Sequence, residues 1–161
     1  MEHTTNLAWL AGIMEGEGTF SIYHQRRSNA ESDQLRACVS LTNTDATLIN
    51  KAYDIFKAIG VEMHVHEYKN KKGSTRPVYD MQTAKAKNVL DICNALLPFL
   101  FGEKRAKAEM LIRFTTKRLE KLGSNRDTRK GKYDEEDWEQ FHNFRSSTTT
   151  RETASTADDI V

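Results

Sequence analysis

The sequence predicts an α+β fold in the order αββαββα, with a four-stranded antiparallel sheet, helices on one face, an open second face and further helices at the C-terminus. Two pairs of segments alternate apolar and polar residues with the period of a strand, and a segment with helical spacing follows each pair. A nearly all-apolar helix precedes the first pair. Amphipathic helices cover only one face of such a sheet, so the other face is predicted to be open.

The first element is a helix over residues 7–14, which carry no charged side chain. A helix that is apolar around most of its circumference must be buried on several sides. Ala8, Ala11 and Gly12 follow the spacing i, i+3, i+4, and their small size lets a second helix approach closely. These three residues are therefore the predicted helix-to-helix interface.

Two carboxylates stand where this helix ends, in the segment Glu15-Gly16-Glu17-Gly18. The glycines favour a helix stop. Negative charge is unfavourable there, because the C-terminal end of the helix macrodipole is itself negative. A bound divalent cation would compensate this placement. The alternative is a pair of solvated acids around a glycine turn.

The first strand pair spans residues 19–25 and 35–42, with a polar loop between them. Strict alternation predicts a hairpin with one dry face and one wet face. Asn43-Thr44-Asp45 then supplies residues that favour a helix start, and helical spacing continues up to Gly60.

The second strand pair spans residues 61–68 and 79–82, and Val65 is predicted to point inward. Residues 89–97 have the spacing of an amphipathic helix, which is predicted to end near Pro98 because proline does not continue a helix.

The C-terminal part is predicted to add helices to the same domain. Residues 103–122 have helical spacing, residues 123–132 form a polar, basic linker, and a short helix with inward Trp138, Phe141 and Phe144 follows. The Ser/Thr-rich tail from Ser146 onward has little to bury and is predicted to be frayed unless DNA orders it. The chain is thus divided into a core at 1–122 and a linker, short helix and tail at 123–161.

Composition excludes several classes of protein. The chain has 161 residues, a net charge of +1 and 38% hydrophobic residues, as expected for a single folded domain that does not bind polyanions indiscriminately. No apolar run is long enough to span a membrane, and the acidic N-terminus does not resemble a secretory signal. Cys38 and Cys93 are isolated, which indicates a reducing intracellular compartment, either the cytoplasm or an organelle if the gene is organellar.

Polar side chains occupy the wet face of the predicted sheet and its loops. Such groups hydrogen-bond to base edges, and a twisted β-ribbon can enter the major groove of DNA, while basic loop residues contact phosphates. The residues predicted to bind DNA are Ser21, Tyr23, Gln25, Arg26, Arg27, Arg36, Ser40, His64, His66, Tyr68, Lys69, Lys71, Lys72, Arg76, Asp80 and Gln82. Any half-exposed sheet alternates polar residues, so a merely solvated face is the alternative.

His64 and His66 share one strand face and could form two ligands of a metal ion. No third ligand lies nearby in the sequence, which favours contact with a base or phosphate, or for His64 a solvated side chain.

Leu10-Ala11-Gly12-Ile13-Met14-Glu15-Gly16-Glu17-Gly18 resembles the LAGLIDADG signature of homing endonucleases, with Glu in place of both aspartates. The segment keeps Leu-Ala-Gly at its start, acid-Gly-acid-Gly at its end and a predicted strand directly after it. Glutamate keeps the ligand chemistry of aspartate. The resemblance in pattern covers about residues 7–122.

The resemblance implies roles for residues at the helix end. Glu17 matches the second acid of the signature and is implied to be the direct metal ligand, with the Gly16 carbonyl contributing. Glu15 matches the first acid, which in the family more often supports the helix end.

Two further catalytic residues are implied by the family pattern. Asn43, at the end of the second strand, matches a polar residue that orients water. A basic residue is expected after the segment Pro98-Phe99-Leu100, and Lys104 is assigned to it with Arg105 as the alternative, although an ungapped match would place Glu103 there.

The resemblance implies a site-specific homing endonuclease that makes a metal-dependent, staggered double-strand break in a long, roughly palindromic DNA target. One signature per chain implies a homodimer about a two-fold axis. The expected cofactor is Mg²⁺, with Mn²⁺ or Ca²⁺ able to substitute for binding, and neither a small-molecule cofactor nor a membrane is expected. The alternatives are a nickase, a non-cleaving DNA-binding regulator of the same fold, or an RNA-splicing maturase.

Overall fold

A computed structural model describes residues 2–26, 33–69, 76–122 and 133–154. The elements, in chain order, are α1 (Glu2–Gly16), β1 (Gly18–Gln25), β2 (Gln34–Asn43), α2 (Ala46–Ala58), β3 (His64–Lys69), β4 (Pro77–Thr83), α3 (Ala86–Leu96), a 3₁₀ helix (Leu97–Phe99), α4 (Gly102–Leu122) and α5 (Glu135–Ala154). The predicted α+β order is confirmed. No helix in the described part of the chain combines the length and apolar character needed to cross a membrane.

The four strands form one antiparallel sheet in the order β1-β2-β4-β3. Apolar side chains on one face of the sheet pack with the helices into a single core, in which Phe20, Val39 and Met81 are almost completely buried. The other face is uncovered by any described helix, as the alternation predicts.

Helix α2 begins as the sequence indicates. The Asp45 side chain caps it by accepting hydrogen bonds from the backbone N–H groups of Thr47 at 2.8 Å and Leu48 at 3.3 Å. Gly60 follows the helix with φ +79°, a left-handed conformation that glycine adopts without strain.

Helix α1 is longer than predicted, because it begins at Glu2 rather than near residue 7. Leu7, Leu10 and Met14 turn into the core, whereas Ala8 and Gly12 are exposed. One side of α1 is therefore left uncovered within the single chain, and its burial against a second helix stays a prediction.

Strand β3 is shorter than predicted and lies at the edge of the sheet. Val61 and Met63 are buried but precede the strand, which begins at His64. All six of its side chains are exposed. Val65 pairs with buried Met81 and so lies on the core-facing side of the sheet, as predicted, but it is 42% exposed because the helices do not cover it. The helices do not extend over this edge, and alternation alone does not reveal where their cover ends.

Helix α5 is 20 residues long and continues to Ala154, so the predictions of a short helix and of fraying from Ser146 are wrong up to that residue. The rest of the predicted tail, residues 155–161, lies outside the described residues. Two serine side chains bond back to the helix, with Ser146 Oγ donating to the His142 carbonyl at 3.0 Å and Ser147 Oγ to the Phe144 carbonyl at 2.7 Å. Phe141 and Phe144 are buried in the same core as the sheet, as predicted.

Buried polar side chains fasten the start of α5 to α4 and to the sheet. Arg118 is 2% exposed, lies 3.5 Å from the Asp137 carboxylate and stacks 4.0 Å from the ring centroid of Tyr133. The Tyr133 hydroxyl donates to the Leu35 carbonyl of β2 at 2.8 Å. These contacts, called the α4–α5 junction below, join the C-terminal region to the core.

Candidate active site and nucleic-acid interface

The acidic end of α1 is a tightly packed turn into β1. The Glu17 N–H donates to the Ile13 carbonyl at 2.8 Å, which extends the helical hydrogen bonding to its last turn. A Cβ atom on Gly18 would lie 2.5 Å from Met14 Cε and 2.8 Å from Met14 Cα, so only glycine fits there. The turn therefore fixes where the two carboxylates stand relative to the sheet.

Glu15 has a backbone partner. Its Oε1 atom accepts a hydrogen bond from the Phe101 N–H at 2.9 Å, in the loop before α4. A charged acceptor strengthens such a bond, so Glu15 links the end of α1 to this loop.

Glu17 has no such partner. Its side chain is exposed, and its carboxylate makes no hydrogen bond or ion pair with the described residues. No group of three or more His, Cys, Asp or Glu side chains that could hold a metal ion occurs within the described ranges. The carboxylate is therefore open to an external cation, while a closed metal cage is not formed by this part of one chain.

Lys104 lies at the same end of α1. Its Nζ atom donates a hydrogen bond to the Gly18 carbonyl, directly after the acidic segment. The neighbouring candidates point elsewhere: Arg105 bonds to the Leu97 carbonyl and to Glu109, and Glu103 pairs with Lys107. Of the basic positions considered from the sequence, Lys104 is the one that contacts the acidic segment.

A turn lies between the 3₁₀ helix and α4. Gly102, the first residue of α4, has φ +53°, a left-handed conformation, and Leu100 and Phe101 connect it to the 3₁₀ helix. Phe101, one residue earlier, is 70% exposed although its N–H is held by Glu15. Sequence reasoning assigned no role to Phe101, and only the presence of Gly102 in the sequence indicates this turn.

Asn43 ends β2 beside the acidic turn, because Gly18 pairs with Leu41 two residues earlier. Its Oδ1 atom accepts the Asp45 N–H at 2.9 Å, immediately before α2. The Nδ2 group remains as the side-chain donor available for water.

The strand register places the predicted DNA-binding residues of the sheet on one face. Tyr23 lies opposite Arg36, Ser40 opposite Gln82, and Gln82 opposite His64. We call this uncovered side the open face; it comprises Thr19, Ser21, Tyr23, Gln25, Gln34, Arg36, Cys38, Ser40, Thr42, Val78, Asp80, Gln82, His64, His66 and Tyr68.

Basic residues lie at the ends of the strands that carry the open face. Arg26, Lys69 and Arg76 are exposed and directly flank the hairpin loops. Arg27, Lys71 and Lys72 were also predicted to bind DNA and lie outside the described residues.

Side chains of the open face contact each other across the strands. Thr42 Oγ1 donates to Asp80 Oδ1 at 2.9 Å, and Cys38 Sγ lies 4.0 Å from Gln82 Oε1. Burial raises the pKa of Cys38 to about 11, which nearby Arg36 opposes and Asp80 assists. Cys38 is therefore a neutral thiol near pH 7. Thr42 lies on the open face opposite Asp80 but was not among the residues predicted to bind DNA, although the alternation along β2 places it on the same side as Ser40.

His64 and His66 are exposed and face Gln82 and Asp80 across the strand pair. Asp80 already accepts from Thr42, and the absence of a three-ligand cluster among the described residues leaves the metal-pair alternative without a third ligand.

The exposed side of α1 is lined by small residues. Ala8 and Gly12 are exposed, and a Cβ atom added to Gly12 or Gly16 would meet nothing within 4 Å. Ala11 is fully buried in the core of its own chain, so it is not on this side and its assignment to a helix-to-helix interface is wrong. Ala11 is three residues after Ala8, so its side chain points about 60° away from that of Ala8 around the helix axis. The exposed stripe is narrow, and this rotation is enough to take Ala11 out of it.

Comparisons with known proteins address the family and the fold. A family model described as LAGLIDADG endonuclease matches residues 10–112. The homing endonuclease I-CvuI in complex with the I-CreI target has a TM-score of 0.58 at 19% identity, covering 92% of this chain and 96% of that chain. I-GzeII in complex with its DNA target has a TM-score of 0.59 at 14% identity, covering 93% and 49% of the two chains. The group I intron-encoded I-CeuI complexed with DNA has a TM-score of 0.55 at 15% identity, covering 70% and 54%. No curated protein matches the sequence.

Proposed function

Because the chain belongs to the LAGLIDADG endonuclease family, we propose that it is an intracellular homing endonuclease that makes a metal-dependent, staggered double-strand break in a long, roughly palindromic DNA site. The observation that carries the proposal is the exposed Glu17 carboxylate, which has no partner among the described residues and stands at the edge of the open face. Structures of the same fold, I-CvuI and I-GzeII, are described with bound DNA targets.

The donor groups at the end of α1 fit a divalent cation. Mg²⁺ binds through one or two carboxylates, several waters and the substrate phosphate, so Glu17 with the Gly16 carbonyl matches its demand better than a closed protein cage would. The two I-CvuI complexes were obtained with Mg and with Ca. When bound, the cation supplies charge neutralisation at the phosphate and lowers the pKa of a water.

The other residues of the site stabilise negative charge on the phosphate and orient the attacking water. Lys104 holds the Gly18 carbonyl and places a positive charge beside the acidic turn, where it stabilises negative charge that develops on the phosphate oxygens. The Nδ2 group of Asn43 orients the attacking water from the other side of the turn.

The open face binds the major groove in this proposal. Its hydroxyl, amide, imidazole and guanidinium groups contact base edges, while the flanking Arg26, Lys69 and Arg76 contact phosphates together with Arg27, Lys71 and Lys72. The net charge of +1 makes this local clustering, rather than the whole-chain charge, the source of electrostatic attraction.

Two copies of the chain cut the two strands. One acidic turn per chain serves one strand, and the exposed stripe of Ala8 and Gly12 lets two α1 helices approach closely about a two-fold axis. The two Glu17 carboxylates then lie near the axis, and the two open faces form one continuous DNA-binding surface. Helical close approach of this kind relies on small residues at the contact.

The proposal is tested with a plasmid that carries a site selected from a randomised DNA library in the presence of Mg²⁺. Wild-type protein is expected to linearise the plasmid and to lose this activity in EDTA. Glu17→Gln is expected to bind the site with unchanged affinity but to cut at least 100-fold more slowly, because the amide is a poor cation ligand.

Glu139→Gln is the matched control, since Glu139 is an exposed acid on α5 and the variant should cut like wild type. Cutting by Glu17→Gln at the wild-type rate would remove Glu17 from the mechanism. Tight binding by the wild type without any cleavage would favour the non-cleaving regulator, and accumulation of nicked circles alone would favour a nickase.

A further inference from the structure

We propose that Arg36, positioned by Tyr23, reads a guanine in the outer part of each half-site of the DNA target. The inference rests on the proposed function and adds to it the identity and position of one base. It follows from the cross-strand geometry of β1 and β2 and from the chemistry of the groups around Arg36.

Arg36 is held against an aromatic ring on the open face. It lies directly opposite Tyr23 in the strand register, and its guanidinium carbon is 6.0 Å from the ring centroid. The Arg36 Nε atom is buried and makes no hydrogen bond within the described part of the chain. The ring therefore limits how the planar guanidinium can turn, which lowers the cost of fixing it in a complex.

No carboxylate pairs with Arg36 among the described residues. Its neighbour on the same strand face, Cys38, is a neutral thiol because burial raises its pKa to about 11. Asp80, the acid of the open face, accepts a hydrogen bond from Thr42, which lies six residues beyond Arg36 along β2. The guanidinium charge is thus not compensated by any carboxylate of the described ranges and is available to a ligand.

The position of Arg36 on the sheet favours a base over a phosphate. Arg36 is half-buried on the open face, beside Tyr23 of β1, and β1 is its one neighbouring strand there, because β2 pairs with β4 only from Val39 to Asn43. Phosphates line the rims of a groove, where exposed Arg26, Lys69 and Arg76 are better placed. A guanidinium has donors only, and guanine is the base that presents two acceptors, O6 and N7, on its major-groove edge.

The register also predicts where in the target this guanine lies. Gly18, at the acidic turn, pairs with Leu41, whereas Tyr23 pairs with Arg36 five residues further along the strand pair. At about 3.4 Å per residue, Arg36 stands roughly 17 Å from the acidic turn. The rise of B-DNA is about 3.4 Å per base pair, so the guanine is expected roughly five base pairs outward from the bases nearest the acidic turn.

The test is selection of bound sites from a randomised library by wild type and by variants, with affinities measured for each single-base change in both half-sites. Wild type is expected to require guanine at one symmetric pair of outer positions. Arg36→Lys keeps the charge but loses the bidentate fork, and it should lower affinity for the guanine-containing site by roughly 5- to 150-fold while removing the preference at that pair only.

Tyr23→Leu tests the positioning role. It is expected to weaken the guanine preference at the same pair of positions and to leave preferences elsewhere unchanged, which a general loss of stability would not do. Arg26→Lys is the control on a phosphate-facing arginine, and its effect should be uniform across sequences.

The inference is overturned if Arg36→Lys weakens all sites equally, or if the wild-type site has no guanine at a symmetric outer position. Selection of no preferred site by the wild-type protein would instead overturn the proposed function itself.

Discussion

Glu15 and Glu17 stand two residues apart in the chain and differ in what they contact. Glu15 accepts the Phe101 N–H, so it is consumed in holding the loop before α4. Glu17 is exposed and unpaired among the described residues. The two glutamates have the same chemistry, but Glu15 lies where it can bond to the loop before α4 and Glu17 does not. Their positions relative to this loop therefore decide which carboxylate is left available to a ligand.

Lys104 and Arg105 are adjacent basic residues for which opposite outcomes are expected. Lys104→Met removes the cation beside the acidic turn and should slow DNA cleavage roughly 10- to 1,000-fold, because a charge aimed at the phosphate is lost. Arg105→Met breaks a surface pair with Glu109 and should leave the cleavage rate about unchanged. Single-turnover cleavage assays with saturating enzyme would check both, and the reverse order of effects would assign the catalytic role to Arg105.

Gly18 and Gly16 differ in the space around them. Gly18→Ala is expected to lower the free energy of unfolding by about 1–3 kcal/mol, since the new Cβ would press on the Met14 backbone and side chain. Gly16→Ala meets nothing within 4 Å and should be close to neutral in stability. Urea denaturation of the two variants would compare them, and equal stabilities would mean that Met14 can move aside.

Residue roles were predictable from the sequence to the extent that they depend on alternation or on a local motif. The faces of Tyr23, Arg36 and Ser40 follow from the period of two, because one buried face fixes the register. The position of Lys104 depends on the turn at Gly102, and the burial of Ala11 depends on how α1 is rotated against the core. Neither the position of Lys104 nor the burial of Ala11 can be predicted from the spacing of residues in the sequence.

At the scale of elements, the α4–α5 junction determines how the C-terminal helix is held. Asp134 and Asp137 exchange hydrogen bonds at 3.0 Å, each backbone N–H to the other's carboxylate, which is a reciprocal cap at the start of α5. Lys117 of α4 pairs with Asp134 at 2.7 Å and with Glu136 at 2.7 Å. The cap and the pairs together position Tyr133 against β2.

Arg118 is the buried charge of this junction. Arg118→Met is expected to destabilise the fold by about 3–5 kcal/mol, because it leaves the fully buried Asp137 without its guanidinium partner. The double variant Arg118→Met/Asp137→Asn should lose less than the sum of the two single changes. Chemical denaturation of the wild type, the two single variants and the double variant would give the coupling free energy between Arg118 and Asp137. If the two losses of stability simply add, the two side chains do not interact.

The junction also predicts an acid dependence. The hydrogen bond from Lys117, followed by that from the Asp137 N–H, holds the pKa of Asp134 well below its usual range. A lowered folded-state pKa contributes stability above the unfolded value of about 3.9, and this contribution is lost as the pH falls through the folded-state pKa. Asp134 is 44% exposed, so solvent screening keeps the effect small.

Wild type is therefore expected to lose stability on acidification below about pH 4, and Asp134→Asn should show a flatter profile there. Thermal melts across this range compare the two proteins. If the melting temperature falls with pH equally in both proteins, the acid sensitivity belongs to other carboxylates.

The extents of β3 and α5 were the least predictable features at this scale. Alternation from Val61 continued into β3, but the cover of the helices ends before Val65, and only the three-dimensional packing reveals this. In α5, the helix continues through Ser146 and Ser147, whose hydroxyls bond back to helix carbonyls, although composition alone does not favour a helix there.

At the scale of the whole molecule, the exposed stripe of α1 bears on assembly. Gly12 is exposed and a Cβ atom added there meets nothing within 4 Å, so the Gly12→Leu monomer should fold normally. Replacing a mid-helix glycine gains up to about 1 kcal/mol of helix propensity. The larger side chain should nevertheless separate two α1 helices and convert a dimer to a monomer. Sedimentation equilibrium with and without DNA would measure this, with Lys87→Leu on α3 as an exposed control.

A wild-type protein that sediments as a monomer both free and on DNA would remove the two-fold arrangement. A Gly12→Leu variant that remains dimeric would place the contact on another surface, for which exposed Phe101 beside the end of α1 is the nearest apolar group.

The overall architecture was predictable because periodicity reports which side of each element meets the core. Two hairpins, each followed by an amphipathic helix, allow few arrangements other than one sheet with helices on a single face. The strand order β1-β2-β4-β3 was not predicted, since sequence spacing does not say which two hairpin strands meet in the centre.

Strand β3 carries six exposed side chains and contributes none to the interior. Substitutions at such positions change stability by about 0.5 kcal/mol or less. In the proposed endonuclease, point mutations in this hexapeptide can therefore change which DNA sequence is bound, and the fold tolerates each of them without a compensating change elsewhere.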